Sequence, residues 1–463
     1  MLSRRSFLSG TLAIGATTRV HAQTGDDAPT VLRIERRDIE VNGKSASVFC
    51  ILQPDGTFGI TTDVGKPFRV RVENYIDEPS LIHWHGLTPP WQQDGVPGVS
   101  GPPIPPGARA EYDFPLHFGG TYWMHSHYGL QEQLLLTAPL IIRDSSENPG
   151  QQEIVLLLCD FSFTLPEKIY ADLQARQPAA MNIPGMAMVA MKSKPDLNDV
   201  PYDAFLANSR TLADPEVVKV EPGGRVRLRI INGSSMSNFH IDLGRLKGDL
   251  VAVDGHPIQP VQGRSFPLAD SQRLDIELTI PKMAAAHPVL AVLEGERRRT
   301  GIVLLAGKGH VRRISGLASA APPALSLSLE RYLRAAEPLA GRKADRTHVL
   351  NLTGVMQGYQ WSINNVAWSK AVPPLIVTEG ERVELVLTNQ TKMPHPMHLH
   401  GHSFQVVAID GKRFAGAMRD TVLVPPKTTV TVAFDAGNPG WWAFHCHLLY
   451  HQHAGMFQTV RYD

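Results

Sequence analysis

The segment Gly65-Lys-Pro-Phe-Arg-Val-Arg-Val-Glu-Asn74 returns twice along the chain, as Gly223-Gly-Arg-Val-Arg-Leu-Arg-Ile-Ile-Asn232 and as Gly380-Glu-Arg-Val-Glu-Leu-Val-Leu-Thr-Asn389. The copies lie about 157 residues apart. Each has a turn, a strand in which apolar and charged residues alternate, and a final asparagine. Alternation with a period of two predicts a half-buried β-strand. The spacing predicts that one sandwich-sized unit occurs three times.

The rest of the chain also favours an all-β fold. Val31-Leu-Arg-Ile-Glu-Arg alternates in the same way, proline and glycine interrupt the sequence at short intervals, and long amphipathic helical patterns are scarce. A chain of 463 residues is expected to form two or three domains. We predict domains at residues 28–147, 151–310 and 346–463, with a linker at 311–345.

Charge and composition exclude several classes of partner. The formal charge is +1, so there is no electrostatic reason to expect binding to nucleic acid or to a membrane surface. Beyond the N-terminus, no segment is long and apolar enough to predict a membrane span. The anomaly is the content of histidine, which is 19 residues.

The N-terminal 22 residues have the pattern of an export signal. Arg4-Arg5 precedes Phe7-Leu8, a short apolar stretch follows, and Val20-His21-Ala22 is a small-residue cleavage site. Paired arginines in this position resemble a twin-arginine signal. We therefore expect export by the Tat machinery to the periplasm.

Three cysteines are present, Cys50, Cys159 and Cys446. Cys50 and Cys159 could form a disulfide or could stay reduced as two buried apolar side chains, and the sequence does not choose between these alternatives.

Four His-x-His pairs are the strongest functional signal. Residues i and i+2 of a strand face the same side, so each pair directs two imidazoles to one place. Eight neutral nitrogen ligands suit a cluster of about three copper ions with positions open for oxygen. The pairs are His83/His85, His125/His127, His398/His400 and His445/His447.

Cys446 lies between the two histidines of the last pair and therefore faces the opposite side of its strand. His395, His451 and Met456 are near it in sequence. Two histidines, one cysteine and a weak methionine ligand form a blue-copper site for electron transfer. A structural zinc site fits less well, because it would not need a thioether. The backbone of His445-Cys446-His447 then joins the two centres.

These motifs resemble those of the multicopper oxidases, the laccase family. The matching segments are His83-Trp-His-Gly86, Trp123-Met-His-Ser-His127, His395-Pro-Met-His-Leu-His-Gly-His402 and His445-Cys-His-Leu-Leu-Tyr-His-Gln-His-Ala-Gly-Met456. The surrounding sequence, such as Gln131-Glu132-Gln133, is similar to that of periplasmic bacterial copper-resistance oxidases. The resemblance implies three consecutive cupredoxin-like Greek-key β-sandwich domains.

It also implies four copper ions per chain. The type 1 ligands would be His395, Cys446, His451 and Met456, and type 2 would be held by His83 and His398. The type 3 pair would be held by His85, His125, His127, His400, His445 and His447. The activity implied is four one-electron oxidations of a small-molecule or metal-ion reductant, coupled to reduction of O2 to two waters. Cys446 and His451 would carry electrons in.

Proton supply is a separate question. Asp94 matches a carboxylate that family members place near the copper cluster, and the alternative is a plain Asp-Gly turn residue. Related bacterial enzymes often have an acid directly after the last type 1 histidine. Here that residue is Gln452, so His453 or water would have to serve instead.

The substrate stays open between phenols or aromatic amines and Cu(I) or another low-valent metal. Methionine thioethers suit Cu(I). Met181, Met186, Met188 and Met191 fall in one short segment, and Met393 precedes His395. Flexible apolar residues that fill a gap would look the same. Thr391 stands where a copper-oxidising relative can carry an acid.

Three rival functions are a non-catalytic structural relative, a copper carrier and a nitrite reductase. The complete set of twelve expected ligands argues against the first. The thiolate adjacent to the cluster ligands argues against the second, and four His-x-His pairs argue against the third. Other histidines, such as His117, His240, His256 and His402, lack ligand spacing and are expected to be ordinary surface or core residues.

Overall fold

The three repeated strands occupy the same place in three sheets. The computed structural model describes residues 28–145, 150–176 and 197–463. In each case the repeated strand lies between a parallel neighbour that precedes it in sequence and an antiparallel neighbour that follows it. The alternating pattern places its apolar residues in the core, as in the burial of Phe68, Val70 and Val72.

The final asparagine of each repeat closes the turn that follows. The Asn389 side-chain amide donates to the carbonyls of Met393 and Val424, and its oxygen accepts from the Thr391 N–H. Asn74 and Asn232 make corresponding bonds with the chain after them. An asparagine can satisfy a buried turn in this way because it carries both a donor and an acceptor.

The first pair of sheets lies within residues 30–143. The strand orders are β2-β1-β4-β6 and β3-β8-β7-β5. The strands are β1 (Thr30–Val41), β2 (Lys44–Leu52), β3 (Ile60–Asp63), β4 (Pro67–Asn74), β5 (Ile82–His85), β6 (Arg109–Pro115), β7 (Gly120–Ser126) and β8 (Thr137–Arg143).

The second pair lies within residues 151–306, in the orders β10-β9-β12-β17-β14-β15 and β11-β19-β18-β13-β16. The strands are β9 (Gln151–Phe161), β10 (Ala204–Ala207), β11 (Val217–Val220), β12 (Arg225–Asn232), β13 (Phe239–Asp242), β14 (Gly248–Val253), β15 (His256–Gly263), β16 (Ser265–Leu268), β17 (Arg273–Thr279), β18 (Ala285–Leu293) and β19 (Arg299–Ala306).

The third pair lies within residues 346–462. The orders are β21-β20-β23-β29-β25-β26, with β27 also paired to β25, and β22-β31-β30-β24-β28. The strands are β20 (Arg346–Val355), β21 (Gln360–Ile363), β22 (Leu375–Val377), β23 (Arg382–Asn389), β24 (His395–Leu399), β25 (Phe404–Ile409), β26 (Lys412–Arg413), β27 (Met418–Arg419), β28 (Thr421–Val424), β29 (Thr429–Asp435), β30 (Trp441–Cys446) and β31 (Phe457–Tyr462).

Helices are few and short. They are α1 (Pro166–Ala175) and α2 (Leu449–His453), with 3-10 turns at Trp91–Gln93, Gln131–Leu134 and Gln357–Tyr359. With α1 only ten residues long, no helix in the described parts of the chain could span a membrane. The predicted all-β fold of three consecutive sandwich domains is confirmed.

The domain limits given above remain a prediction. The predicted linker falls within residues 307–345, which the structure describes throughout and in which it assigns no helix or strand. Leu325, Leu327 and Leu333 of this segment are buried in the core.

Cys50 on β2 and Cys159 on β9 are both free, buried thiols. The Cys50 thiol donates to the carbonyl of Glu35 at 3.4 Å. Burial raises the pKa of Cys50 to about 11, so the thiol is neutral and unreactive at ordinary pH. Of the two alternatives, the structure has the pair of reduced side chains.

Candidate metal centres

All eight histidines of the four pairs meet in one place. His83 and His85 on β5 lie beside His125 on β7, because these strands are antiparallel neighbours with His83 opposite His125. β24 and β30 are joined in the same way, with His398 opposite His445. Seven of the eight imidazoles are buried and the eighth, His127, is half-buried. The first and third pairs of sheets each contribute half of the site.

The rings form two groups of three and one group of two. His127, His400 and His445 lie with ring centroids 5.1–5.2 Å apart. A second trio has centroids 5.0–5.6 Å apart and contains His85, His125 and His447. The remaining two, His83 and His398, approach with their Nε2 atoms 3.4 Å apart.

Hydrogen bonds to the backbone orient several of these rings. Nδ1 of His83 donates to the Asp94 carbonyl at 2.8 Å, and Nδ1 of His398 donates to the Asp420 carbonyl at 2.9 Å. Nδ1 of His445 donates to the Cys446 carbonyl at 2.9 Å. A ring that donates from Nδ1 keeps Nε2 unprotonated, which is the form that binds a metal.

His85 has the opposite orientation. Its Nε2 lies 3.1 Å from Oδ1 of Asp420, and its Nδ1 has no hydrogen-bond partner among the described residues. Nε2 of His125 and Nε2 of His447 are likewise buried without such a partner. Buried polar atoms are normally satisfied. Three unsatisfied nitrogens from one trio therefore fit a metal ion as the missing partner.

Burial keeps the cluster neutral. It lowers the pKa of His85, His125, His400 and His447 well below the usual value, with neighbouring imidazoles adding to the effect. The pKa of His445 falls to about 3 for the same first reason. Neutral imidazoles are the ligand form, so the site is ready to take up cations.

Asp94 lies at the cluster, as its predicted role requires. The residue is fully buried, and its Oδ2 is 2.8 Å from Nδ1 of His400. Its Oδ1 is 3.3 Å from Nδ1 of His83. Asp94 follows the 3-10 turn Trp91–Gln93, which aims the carboxylate inward.

Besides Asp94 and Asp420, two further carboxyl groups touch the cluster, and neither was predicted from the sequence as a site residue. Oε2 of Glu132 lies 2.7 Å from Nδ1 of His125, and Oδ1 of Asp270 lies 3.3 Å from Nδ1 of His447. Burial raises the pKa of both well above the usual range. Glu132 lies in a segment noted only for family resemblance, and Asp270 is far in sequence from every histidine pair.

Cys446 belongs to a second buried group. Its Sγ lies 3.5 Å from Nδ1 of His395 and 3.8 Å from Nδ1 of His451, and these two nitrogens are 3.2 Å apart. Met456 is also fully buried, and its carbonyl accepts from the Cys446 N–H. Burial raises the pKa of the Cys446 thiol well above its usual value, so a bound cation is needed to make it a thiolate.

The outward sides of these histidines also have partners. Nε2 of His451 lies 3.2 Å from Oδ2 of Asp199, and the Tyr359 hydroxyl donates to the same oxygen at 2.7 Å. Trp361 stacks on the His451 ring at 3.9 Å. Nε2 of His395 lies 2.7 Å from the Thr391 hydroxyl, at the position where the sequence analysis noted a missing acid. Asp199 was not predicted, because nothing local marks it.

The other predicted residues do not share one location. The amide of Gln452 reaches to 3.5 Å from Nε2 of His127, whereas exposed His453 packs against Tyr170. Met393 is 2% exposed. Met181, Met186, Met188 and Met191 lie outside the described residues, as do residues 1–22.

Two histidines outside the pairs, His402 and His256, have ordinary partners. His402 lies with Nδ1 3.0 Å from the His400 carbonyl and Nε2 2.6 Å from the Tyr462 hydroxyl. His256 lies 2.8 Å from the Ser403 hydroxyl. These contacts are those of satisfied core residues, in line with the expectation from spacing.

The chain is similar to copper proteins along most of its length. Three family models described as multicopper oxidase match residues 37–147, 153–301 and 342–463. A multicopper oxidase, MmcO of Mycobacterium tuberculosis, is 31% identical over 98% of this chain and 90% of its own length. Copper resistance protein A of Escherichia coli is 28% identical over 86% of each chain. A laccase of Neurospora crassa is 25% identical over 86% of this chain and 71% of the laccase.

Solved structures agree on the fold. The structure of Fet3p, titled a multicopper oxidase that functions in iron import, superposes with a TM-score of 0.77 at 20% identity over 94% of this chain and 90% of that one. The multicopper oxidase of Pseudomonas thermotolerans gives 0.71 at 23% identity, over 94% and 99%. The sandwiches are therefore cupredoxin-like. With three matching family models and a relative of this similarity, the chain belongs to the multicopper oxidase family.

Proposed function

We propose that the protein is a laccase-like oxidase that binds four copper ions per chain. The type 1 site would consist of His395, Cys446, His451 and Met456. Type 2 would be held by His83 and His398, and the type 3 pair by the trios His85/His125/His447 and His127/His400/His445. The observation that carries this proposal is the strand end His445-Cys446-His447, whose thiol faces one buried centre and whose two imidazoles face another.

Copper bound in these two centres would supply the chemistry, taking single electrons from a reductant and passing four of them to O2 to form two waters. The protein contributes the arrangement. Cys446 and its two neighbours give a short covalent path between the centres. Burial of the ligands excludes water from the site, and the bonds from Nδ1 to backbone carbonyls hold the rings in the ligand tautomer.

Water formation also consumes protons, and Asp94 is their proposed source. Its Oδ2 contacts His400 and its Oδ1 faces His83, so a proton on this carboxyl is one residue from the cluster. Gln452 cannot carry a proton in the manner of an acid. Glu132 and Asp270 are two buried carboxyl groups on the far trio that could hold protons instead.

The test of this function is the copper-loaded protein itself. We expect four copper ions per chain, an intense blue colour and oxygen uptake with a reductant. Cys446→Ser should abolish the blue colour while the cluster copper remains, because it removes one type 1 ligand and no imidazole. A colourless wild-type protein whose Cys446 is freely alkylated would overturn the proposal. A copper carrier would bind the metal without oxygen uptake, and a structural relative would do neither.

The reductant is proposed to be either a phenol or aromatic amine, or Cu(I). The named relatives include both laccases and copper resistance proteins. A buried carboxylate, Asp199, stands on the outward side of His451, and either a cation or a phenolic hydroxyl could interact with such a group.

Side-by-side turnover of Cu(I) and a phenol separates these classes. The triple change of Met186, Met188 and Met191 to serine should slow Cu(I) oxidation selectively if these thioethers contact the metal substrate. Met283→Ser, at a methionine that is 78% exposed and far from these segments in sequence, is the control. Equal Cu(I) turnover in the triple variant would remove the metal-substrate assignment for these residues.

Export to the periplasm is also a proposal. It is supported by Arg4-Arg5 and the apolar stretch that follows. Replacing both arginines with lysine should retain the protein in the cytoplasm, because the paired guanidinium groups distinguish the twin-arginine signal from a general one. Fractionation of cells expressing the two forms measures this directly.

A further inference from the structure

The middle pair of sheets carries none of the four histidine pairs, yet one of its turns touches the cluster. The turn leads from β16 into β17 and spans residues 269–272. Asp270 contacts His447. Ser271 donates to the hydroxyl of Thr421, and the Gln272 amide donates to the Thr421 carbonyl at 3.1 Å. This turn therefore packs against the start of β28 in the third pair of sheets.

Arg273, the first residue of β17, directly follows this turn and forms a two-pronged ion pair with Asp420. Nη1 donates to Oδ1 at 2.7 Å, and Nη2 donates to Oδ2. Both side chains are buried, with no more than 1% of either one exposed. Two more N–H groups are also used, since Nε donates to the Thr121 carbonyl at 3.1 Å and Nη1 to the Ser271 carbonyl. The guanidinium thus joins all three pairs of sheets.

Asp420 in turn holds two cluster histidines. Its Oδ1 lies 3.1 Å from Nε2 of His85, and its backbone carbonyl accepts from Nδ1 of His398. The carboxylate accepts a hydrogen bond from Nε2–H of His85, and this leaves Nδ1 of His85 as the unprotonated nitrogen. His85 is the cluster imidazole whose orientation depends on a side chain that is itself fixed by an arginine.

The space around this contact is filled to the limit. Gly86 follows His85 with a φ of +90°, and a Cβ at this position would lie 2.6 Å from Nη2 of Arg273 and 2.7 Å from Oδ2 of Asp420. Glycine at position 86 therefore lets the ion pair approach the backbone directly after the histidine. This close approach explains why the His-Trp-His-Gly motif of this chain ends in glycine.

We propose that Arg273, from the middle pair of sheets, is a positioning residue for the copper cluster, because it fixes Asp420 and through it directs Nδ1 of His85 toward the metal. This inference rests on the proposed function. The planar guanidinium presents two parallel N–H groups that match a carboxylate, whereas a lysine ammonium is a point charge that cannot define the carboxylate plane. A substitution that keeps the positive charge but loses the two parallel N–H groups should therefore leave the His85 ring less firmly oriented.

The test is copper retention in Arg273→Lys. Changing an outer partner of a metal ligand typically lowers metal affinity 10- to 100-fold, and Arg273 acts one contact further out. We expect a competing chelator to remove cluster copper from this variant at about ten-fold lower concentration than from the wild type. The blue colour should be unchanged, because Arg273 contacts no type 1 ligand. An electron paramagnetic resonance spectrum should show more unpaired Cu(II) as the type 3 pair is depleted.

Arg229→Lys is the matched control. Arg229 is equally buried, contacts the hydroxyl of the same Thr121, and pairs with Asp275 and Glu153 away from the cluster. Its variant should bind cluster copper as the wild type does. Equal copper loss in both variants, or none in Arg273→Lys, would overturn the proposal and leave Arg273 a purely structural residue.

Gly86→Ala provides a second variant, which keeps every charge and should displace the ion pair from His85. The same selective loss of cluster copper is expected, and retention would contradict the proposal even if Arg273→Lys did not fold. Failure of the proposed function has a different signature, because the wild type itself would then bind no blue copper.

Discussion

Single residues around the cluster act through the ring nitrogen that faces away from it. A carbonyl or carboxylate on that side determines which nitrogen of the imidazole is free for a metal. His83 and His398 use backbone carbonyls, whereas His85 uses the carboxylate of Asp420. Substitution of such a partner changes the metal site although no ligand is lost.

Asp94 is either a source of protons for the cluster or only a turn residue, and one substitution distinguishes these two roles. Asp94→Asn keeps the shape of the turn but removes the carboxyl proton. Since a positioned acid typically contributes 100-fold or more to a proton-coupled step, we expect oxygen consumption to fall by about 100-fold with copper content unchanged. Asp55→Asn, in an exposed Asp-Gly turn, is the control. Unchanged rates in Asp94→Asn at every pH would reduce Asp94 to a turn residue.

At the scale of elements, side-chain hydrogen bonds join the start of β23 to the two strands beside it in its sheet. Glu381 precedes β23 and accepts two hydrogen bonds from Arg346 at the start of β20, both at 2.7 Å. It also accepts from the Thr378 N–H. The corresponding antiparallel contact is made by Arg382 with Asp435 of β29.

This tie predicts a specific pH dependence. The hydrogen bonds from Arg346 and Thr378 lower the pKa of Glu381 to about 2, from an ordinary value of 4.5. A depressed pKa means that the stabilisation is complete above pH 4.5 and is lost as the pH falls toward 2. Glu381→Gln should therefore lower the free energy of unfolding in urea at pH 7, and the difference should narrow below pH 4.5.

Glu379→Gln, at an exposed glutamate in the same turn, should show no such difference. If the difference in the free energy of unfolding between Glu381→Gln and the wild type stays constant from pH 7 to pH 3, the ion pair is not its cause.

At the scale of the whole molecule, the buried neutral imidazoles of the metal site make the stability of the fold depend on pH. In the unfolded chain these groups take up protons below their ordinary pKa of 6.5, whereas burial lowers their pKa in the fold. The unfolded state then binds more protons than the native state, so stability falls as the pH drops below 6.5. Each histidine contributes up to about 1.4 kcal/mol per pH unit.

The copper-free protein should accordingly lose stability steeply between pH 7 and pH 5. Copper binds the folded ligands and should raise the unfolding temperature at neutral pH by mass action. Urea unfolding of the chelator-treated and copper-loaded forms across this range measures both effects. A flat profile for the copper-free form would show that the imidazoles are not held neutral.

The sequence predicted the parts of the site that follow a local rule. His125 and His127 were identifiable because side chains two apart on a strand share a face, and Cys446 because it alternates with its neighbours. Asn74, Asn232 and Asn389 marked the repeat because each asparagine bonds to the turn that directly follows its own strand. These are short-range regularities that a single strand imposes on its own sequence.

Asp199, Asp270, Arg273 and Asp420 could not be found in this way. The three aspartates meet their histidines, and Arg273 meets Asp420, only when segments far apart in the chain pack together. No spacing in the sequence records such a meeting. His85 and Asp420, for example, are 335 residues apart. The long-range half of the site is a property of the assembled sheets.

Because both trios combine imidazoles from residues 85–127 with imidazoles from residues 400–447, neither half of the molecule can hold the proposed cluster by itself. During synthesis the early histidines emerge long before their partners exist, and each half-site is an open, weak chelator in that interval. Tight uptake of copper must then follow completion of the fold rather than guide it. The cell would have to keep stray metal from the growing chain, and the finished molecule could be supplied with copper wherever folding has ended.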